Sequence, residues 1–224
     1  TLYNRSKMPA SFVYWGNARI PATADTRWIY PESMASEHDG ANSFTWPIFR
    51  GVDLSLLIND PEVIGMYFLE PRYNFFGLTN IKTTSGMVHY ANHHDVPGKK
   101  LWNWGRLPKD DRNTKWDPFW EGSVWEFESH FFGYDYAEVQ SGRIVNQDHL
   151  EWLNPDESIL WNEGWSPIFG LTDVNEVTED AAFQLLEKEN KLMIYSFTKA
   201  NDVKLYFYVD GKQVNEMNLT LKTS

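Results

Sequence analysis

Apolar and polar residues alternate over short runs along most of this chain. "SFVYW" at Ser11 to Trp15, "TRWIY" at Thr26 to Tyr30, "SVWEFES" at Ser123 to Ser129 and "YDYAEVQ" at Tyr134 to Gln140 each carry the period of two expected of half-buried strands. Clusters of Gly, Pro, Asn and Asp separate them, among them "NARIPATADT", "SEHDGANS" and "RLPKDDRNTKWDP". Near the end, "KLMIYSF" and "VKLYFYVDGKQVNEMNL" predict hairpins, the second turning at Asp210-Gly211. "EDAAFQLLEKENK" is open to a helical reading, but "AAFQLL" also suits a strand facing "KLMIYSF" across "EKEN", and the strand is favoured. No internal repeat or low-complexity segment is visible. The pattern predicts an all-β antiparallel sandwich with little helix, with a C-terminal β-hairpin extension or small sub-domain at 172–224 following a main body at 1–171.

Composition narrows what such a sandwich can do. With 224 residues the chain can bury one large core, and 42% apolar with 23% charged residues is ordinary for a globular protein. Aromatics reach 16%, with 11 Trp, which favours strands and also provides flat faces with a polar handle for a ligand. A net charge of −11 without any basic run argues against nucleic acid, since phosphate binding needs clustered cations. No apolar run approaches the roughly 20 residues of a membrane-spanning helix. Cys is absent, so disulfides, thiolate metal sites and a Cys nucleophile are excluded, while the compartment stays open.

The chemistry that remains is carboxylate plus imidazole. Residues two apart on a strand share a face. "YDYAEVQ" therefore sets Tyr134, Tyr136, Glu138 and Gln140 on one side, with Ala137 and Val139 turned to a core. In "ILWNEGWSP" the same rule aligns Trp161, Glu163 and Trp165, a carboxylate between two indoles. Such a group suits a sugar, whose C–H faces stack on rings while its hydroxyls bond to the acid. "MVHYANHHDVPGKKLWNWG" adds His89, His93, His94, Lys100, Trp102 and Trp104. Read as a strand, "MVHYANHH" points His89 and His93 the same way but roughly 13 Å apart, too far to share one ion, so no metal or other cofactor is expected. A histidine titrating near neutrality suits acid–base work. No G-x-S-x-G elbow, phosphate loop or dinucleotide glycine pattern occurs.

The blocks "NRSKMPASFVYWGNARI", "RWIYPES", "FTWPIFRGVDLS", "FFGLTN", "GMVHYANHHDVPGKKLWNWG", "YAEVQSGRIVNQDHLEWLNPDES" and "NEGWSPIFGL" follow one another in this order. Over Thr1 to Leu171 the chain resembles a bacterial family of uncharacterised domains found ahead of tetratricopeptide repeats and related to galactose mutarotase. The resemblance implies a galactose mutarotase-like β-supersandwich with a carbohydrate-binding cleft. In aldose epimerases a glutamate on a late strand removes the anomeric hydroxyl proton and a histidine protonates the ring oxygen. Glu138 resembles that glutamate, and His93 or His94 is the natural imidazole. Carboxylates placed among aromatics, reinforced by this resemblance, make Trp102, Trp104 and Trp165 the expected stacking platforms of the cleft and Glu138 and Glu163 its acceptors. His89 and Lys100 are further substrate-binding candidates.

The family's upstream half, with its "GGIEFNFP"-like block, has no counterpart here, and the first residue is Thr. The chain is accordingly expected to be the later part of a longer protein. Strand edges left open would then pair with other parts of that parent chain or with a second copy. Carbohydrate is the expected ligand. The competing readings are a protein-interaction module without catalysis and a glycoside hydrolase using Glu138 and Glu163 as paired acids.

Overall fold

The computed structural model describes residues 1–38, 42–59, 63–104 and 136–221; the side chains of residues 63, 64, 104, 200, 202 and 221 fall outside that description. Ten strands build the two main sheets: β1 (Trp15–Pro21), β2 (Thr26–Ile29), β3 (Met34–Glu37), β4 (Ser43–Thr45), β5 (Val63–Phe68), β6 (Phe75–Asn80), β7 (Ser85–Ala91), β8 (Gly98–Trp104), β9 (Tyr136–Gly142) and β10 (Glu163–Phe169). One sheet has the order β1-β9-β8-β5-β3-β4 and the other β10-β7-β6-β2. Every pairing within them is antiparallel. The described residues contain no α-helix, only two short 3-10 turns. The all-β antiparallel fold expected from alternation is the one observed.

The alternation also predicts how the layers meet. Ala137, Val139, Leu101, Met66 and Phe68 of the six-stranded sheet pack on Trp28, Phe76 and Leu78 of the four-stranded sheet. The opposite face of the smaller sheet is apolar too: Ile29, Phe75, Val88 and Ile168 pack on Val174, Val177 and Ala182. Val177 and Ala182 belong to a third, three-stranded sheet formed by Glu176–Val177, Ala181–Leu186 and Lys191–Ser196, and Val174 lies in the segment just ahead of it. A sheet apolar on both faces must be covered on both. The molecule is therefore three layers deep, and "AAFQLL" is the strand that faces "KLMIYSF".

The terminal hairpin pairs Ala200–Val209 with Lys212–Leu221. Asp210 and Gly211 both take positive φ (49° and 74°), as the favoured two-residue turn requires. Two local expectations are corrected. "NARIP", read as a separator, is the last five residues of β1 and pairs along β9 from Asn17 to Pro21. "SFVYW" is not one strand: Ala10–Phe12 pairs with Glu151–Leu153, and the chain turns to a different sheet at Trp15. The expected strand at 123–129, the loop at 106–118 and Tyr134 lie outside the described residues.

Candidate functional site

The outward face of the six-stranded sheet carries the first polar cluster. Cross-strand register sets Arg19 opposite Glu138, Glu138 opposite Trp102, and Trp102 opposite Gly65. The adjoining row runs Asn17, Gln140, Lys100, Tyr67 and Ser36. Antiparallel neighbours in register share a face, so alternation along β8 and β9 gathers Lys100, Trp102, Tyr136, Glu138 and Gln140 on one surface. Glu138 Oε2 accepts hydrogen bonds from Asn17 Nδ2 (3.0 Å) and Gln140 Nε2 (2.6 Å). Lys100 Nζ donates to Gln147 Oε1 (2.9 Å), which also accepts from the Tyr67 hydroxyl (2.8 Å).

Aromatic rings frame these groups. Lys100 Nζ lies 4.2 Å from the Trp102 ring centroid, and the Arg19 guanidinium lies 3.5 Å over Tyr136. Gly65 makes room for the Trp102 indole, because a Cβ there would sit 2.7 Å from the ring. Burial pulls the Lys100 ammonium down to a pKa of about 8, against the attraction of Glu138 and Asp148. A carboxylate, a cation tuned toward neutrality, amides and an indole thus share one sheet face. Beside them, Tyr67 also borders a depression of about 350 Å³ with His38 and Asp148.

The second cluster sits between the sheets. Glu163 Oε2 accepts from His89 Nε2 (2.9 Å) and Ser141 Oγ (2.7 Å), and Oε1 accepts from the Tyr14 hydroxyl. Burial pushes the Glu163 carboxyl up, but the three donors outweigh it and hold its pKa at about 2. His89 is fully buried, and that desolvation lowers its pKa despite the carboxylate. With Nε2 committed to Glu163, His89 Nδ1 has no hydrogen-bond partner among the described residues. Its ring packs edge-on against Trp165 at 4.6 Å and against Phe76 at 5.1 Å. Glu163, from β10, thereby ties together β7, β9 and the approach to β1.

The other two candidate histidines, His93 and His94, lie elsewhere. β7 ends at Ala91, and Asn92 folds the chain into a turn, its carbonyl accepting from Asp95 N and its side chain from His94 N. His93 donates its backbone N–H to Asn74 Oδ1, and its Nδ1 pairs with the same oxygen at 2.8 Å. Nearby, Lys99 meets Glu32 at 3.6 Å and donates to the Tyr73 carbonyl. Lys99 and Lys100 are consecutive on β8, so the lysine bordering His93 faces away from the lysine bordering Glu138.

The sequence-derived residues thus divide three ways. Glu138, Lys100 and Trp102 come together, as do His89, Glu163 and Trp165, while His93 and His94 stand apart from both. The Trp104 side chain lies outside the described residues. Glu138 and Glu163 lie on opposite sides of β9: Glu138, on β9 itself, accepts from Gln140, and Glu163, reaching across from β10, accepts from Ser141, the next residue. They do not flank a common space. Sequence reasoning missed Arg19, Asn17, Tyr67, Gln147, Tyr14 and Ser141. Alternation through "NARIP" could have found Arg19 and Asn17, but nothing local marks Ser141 or Tyr14 as partners of Glu163.

Among solved structures, the chain is similar to a TPR-domain containing protein from Parabacteroides distasonis ATCC 8503 (25% identity, TM-score 0.55), covering 74% of this chain and 26% of that one. It also resembles the Slr1438 protein from Synechocystis sp. PCC 6803 (9% identity, TM-score 0.45; 75% of this chain, 47% of that one). A third likeness is to a protein from Klebsiella pneumoniae subsp. pneumoniae MGH 78578 assigned as an aldose 1-epimerase (10% identity, TM-score 0.46; 75% of this chain, 41% of that one). These last two likenesses are too weak to bear on function. The chain spans about a quarter to a half of the length of these relatives. Residues 1–168 match the family described as Domain of unknown function (DUF5107), and the chain belongs to that family.

Proposed function

We propose that this domain binds carbohydrate on the outward face of its six-stranded sheet, within a longer protein of the tetratricopeptide-repeat type. The observation that carries the reading is the convergence of Glu138, Gln140, Lys100 and Trp102 from two neighbouring strands. An indole offers a stacking surface for a sugar ring, and carboxylate, amide and ammonium groups bond its hydroxyls. The sequence resemblance to a galactose mutarotase-like supersandwich supports the same ligand class.

If the face is also catalytic, its groups suit exchange at the anomeric carbon. Glu138 takes the proton from the anomeric hydroxyl as the ring bond opens, and an acid returns a proton to the ring oxygen. Of the two imidazoles expected for that second role, His93 pairs through Nδ1 with Asn74, and His94 sits in the Asn92 turn, held there by its backbone N–H. Lys100 is the acid adjoining Glu138, and with a pKa of about 8 it gives up a proton far more readily than an exposed lysine. Paired-acid glycoside cleavage loses its support, because Glu138 stands on the outward side of β9 while Glu163, on β10, meets its inward side at Ser141.

Polarimetry of fresh α-glucose and α-galactose tests the reading. Glu138→Gln should slow mutarotation by about 10²-fold or more, the range for a general base, and leave the tryptophan-fluorescence titration with sugar nearly unchanged. Lys100 acts protonated, so the rate should fall as pH rises through about 8. Equal rates in wild type and variant would end the catalytic reading and leave a binding domain. No response to any glycan on an array, with a protein partner recovered instead, would replace carbohydrate binding by the interaction-module reading.

A further inference from the structure

A groove of about 580 Å³ opens where the four-stranded sheet meets the three-stranded one, away from the Glu138 face. Tyr90 and Ser166 of β7 and β10 form its floor, on the side of that sheet opposite His89 and Trp165. Trp161 and Phe197 are the other aromatic residues lining it. The Trp161 ring is half-buried and held: Tyr14 packs on it at 4.8 Å and the Arg143 guanidinium lies 5.3 Å from its centroid. Arg143 is itself fixed by two hydrogen bonds to Glu151, 3.1 and 2.7 Å long, and Tyr14 by Glu163. The indole is thus pre-positioned, and ordering it on binding costs little.

Three amides line the same space with donors to spare. Asn74 uses its oxygen on His93, and Asn92 uses its oxygen on the His94 N–H. Their NH₂ groups donate to no described residue. The exposed Asn162 side chain hydrogen-bonds to no described residue. The charged residues of the lining are Asp95, Glu179 and Glu163, the last with its carboxylate engaged by His89, Ser141 and Tyr14, and no Lys or Arg is among them. A held aromatic plate, unspent amide donors and carboxylate acceptors match a ring with hydroxyls on its edge and C–H bonds on its face. The carboxylates turn away an anion.

We propose that this groove is a second carbohydrate-binding site, one that takes a neutral saccharide stacked on Trp161 and rejects phosphorylated or uronic sugars. Glu179 and Phe197 lie beyond the 1–168 family match, so the three-stranded sheet supplies part of the wall. The site stands independently of any activity at Glu138.

Side-chain NMR of the full chain decides it, with maltotriose, cellotriose and mannotriose as neutral probes and glucose 6-phosphate and glucuronate as anionic ones. At least one neutral probe should give saturable shifts of the Trp161 indole and of the Asn92 and Asn162 amides. Trp161→Ala should weaken that binding about tenfold or more, the scale of a truncated interface aromatic. Asn162→Ala, which removes no hydrogen bond to a described residue, should weaken it measurably, and Glu138→Gln should leave it unchanged. Absence of shifts with all three neutral probes at tens of millimolar overturns the assignment. So does tighter binding of either anion, unaltered affinity in Asn162→Ala, or binding lost in Glu138→Gln but kept in Trp161→Ala.

Discussion

Glu138 and Glu163 are both carboxylates set among aromatic rings, yet their neighbours give them different chemistry. Glu163 receives donors from three separate parts of the chain, and the ionised form is held down to a pKa of about 2. A carboxyl depressed in the folded state stabilises the fold above its unfolded value, and that contribution is lost as pH falls toward about 2. His89, whose pKa burial lowers, acts in the same direction, since the unfolded chain binds its proton first. Urea midpoints should therefore fall between pH 7 and pH 3 in the wild type. Glu163→Gln should be less stable at pH 7 and show a shallower decline, and an unchanged slope would remove Glu163 as the source. Glu138 is held by two amide donors on a face that also carries a cation and an indole. That setting leaves it suited to a ligand's hydroxyls.

At the level of elements, β9 is the strand on which both clusters depend. Ala137, Val139 and Ser141 turn inward, and Tyr136, Glu138 and Gln140 turn outward, every one of them buried. The neighbouring strands answer residue by residue, and Gly65 of β5 is small because Trp102 of β8 lies over it. Gly65→Ala should cost about 1–3 kcal/mol by overpacking. Trp102→Ala in the same background should recover part of that loss, because the clashing ring is gone. Chemical denaturation of the two single variants and the double variant gives the coupling, and simple additivity would show that the contact is not the cause.

For the whole molecule, the relevant question is which C-terminal strands complete the core. Val174, Val177 and Ala182 cover Ile29, Phe75, Val88 and Ile168, so the three-stranded sheet closes the sandwich. The hairpin at 200–221 is paired with itself in a separate two-stranded sheet, with Tyr206, Tyr208 and Val209 exposed. We propose that a domain boundary falls after the three-stranded sheet, where the alternation alone suggested a division at 171. Ending the chain after Thr198 should leave the near-ultraviolet circular dichroism and the unfolding midpoint nearly unchanged. Ending it after Leu171 should expose the second core and destabilise the fold by several kcal/mol, about 1.5–3 for each large apolar side chain uncovered. Equal effects of the two truncations would refute the boundary.

Much of this follows from the sequence alone, because a strand's side-chain period is a local property. The all-β class, the inward Ala137 and Val139, the outward Glu138 and Gln140 and the Asp210-Gly211 turn are all legible in alternation and turn chemistry. So is the family, through ordered blocks such as "HYANHHDVPGKKLWNWG". Period, however, cannot say which strands become neighbours or which layer covers a face. Only the tertiary structure set Lys100 beside Glu138, drew Ser141 and Tyr14 onto Glu163, ended β7 before His93, and placed Glu138 and Glu163 on opposite sides of β9. Each of those depends on contacts between residues far apart in the chain, decided by how whole sheets bury their apolar faces together.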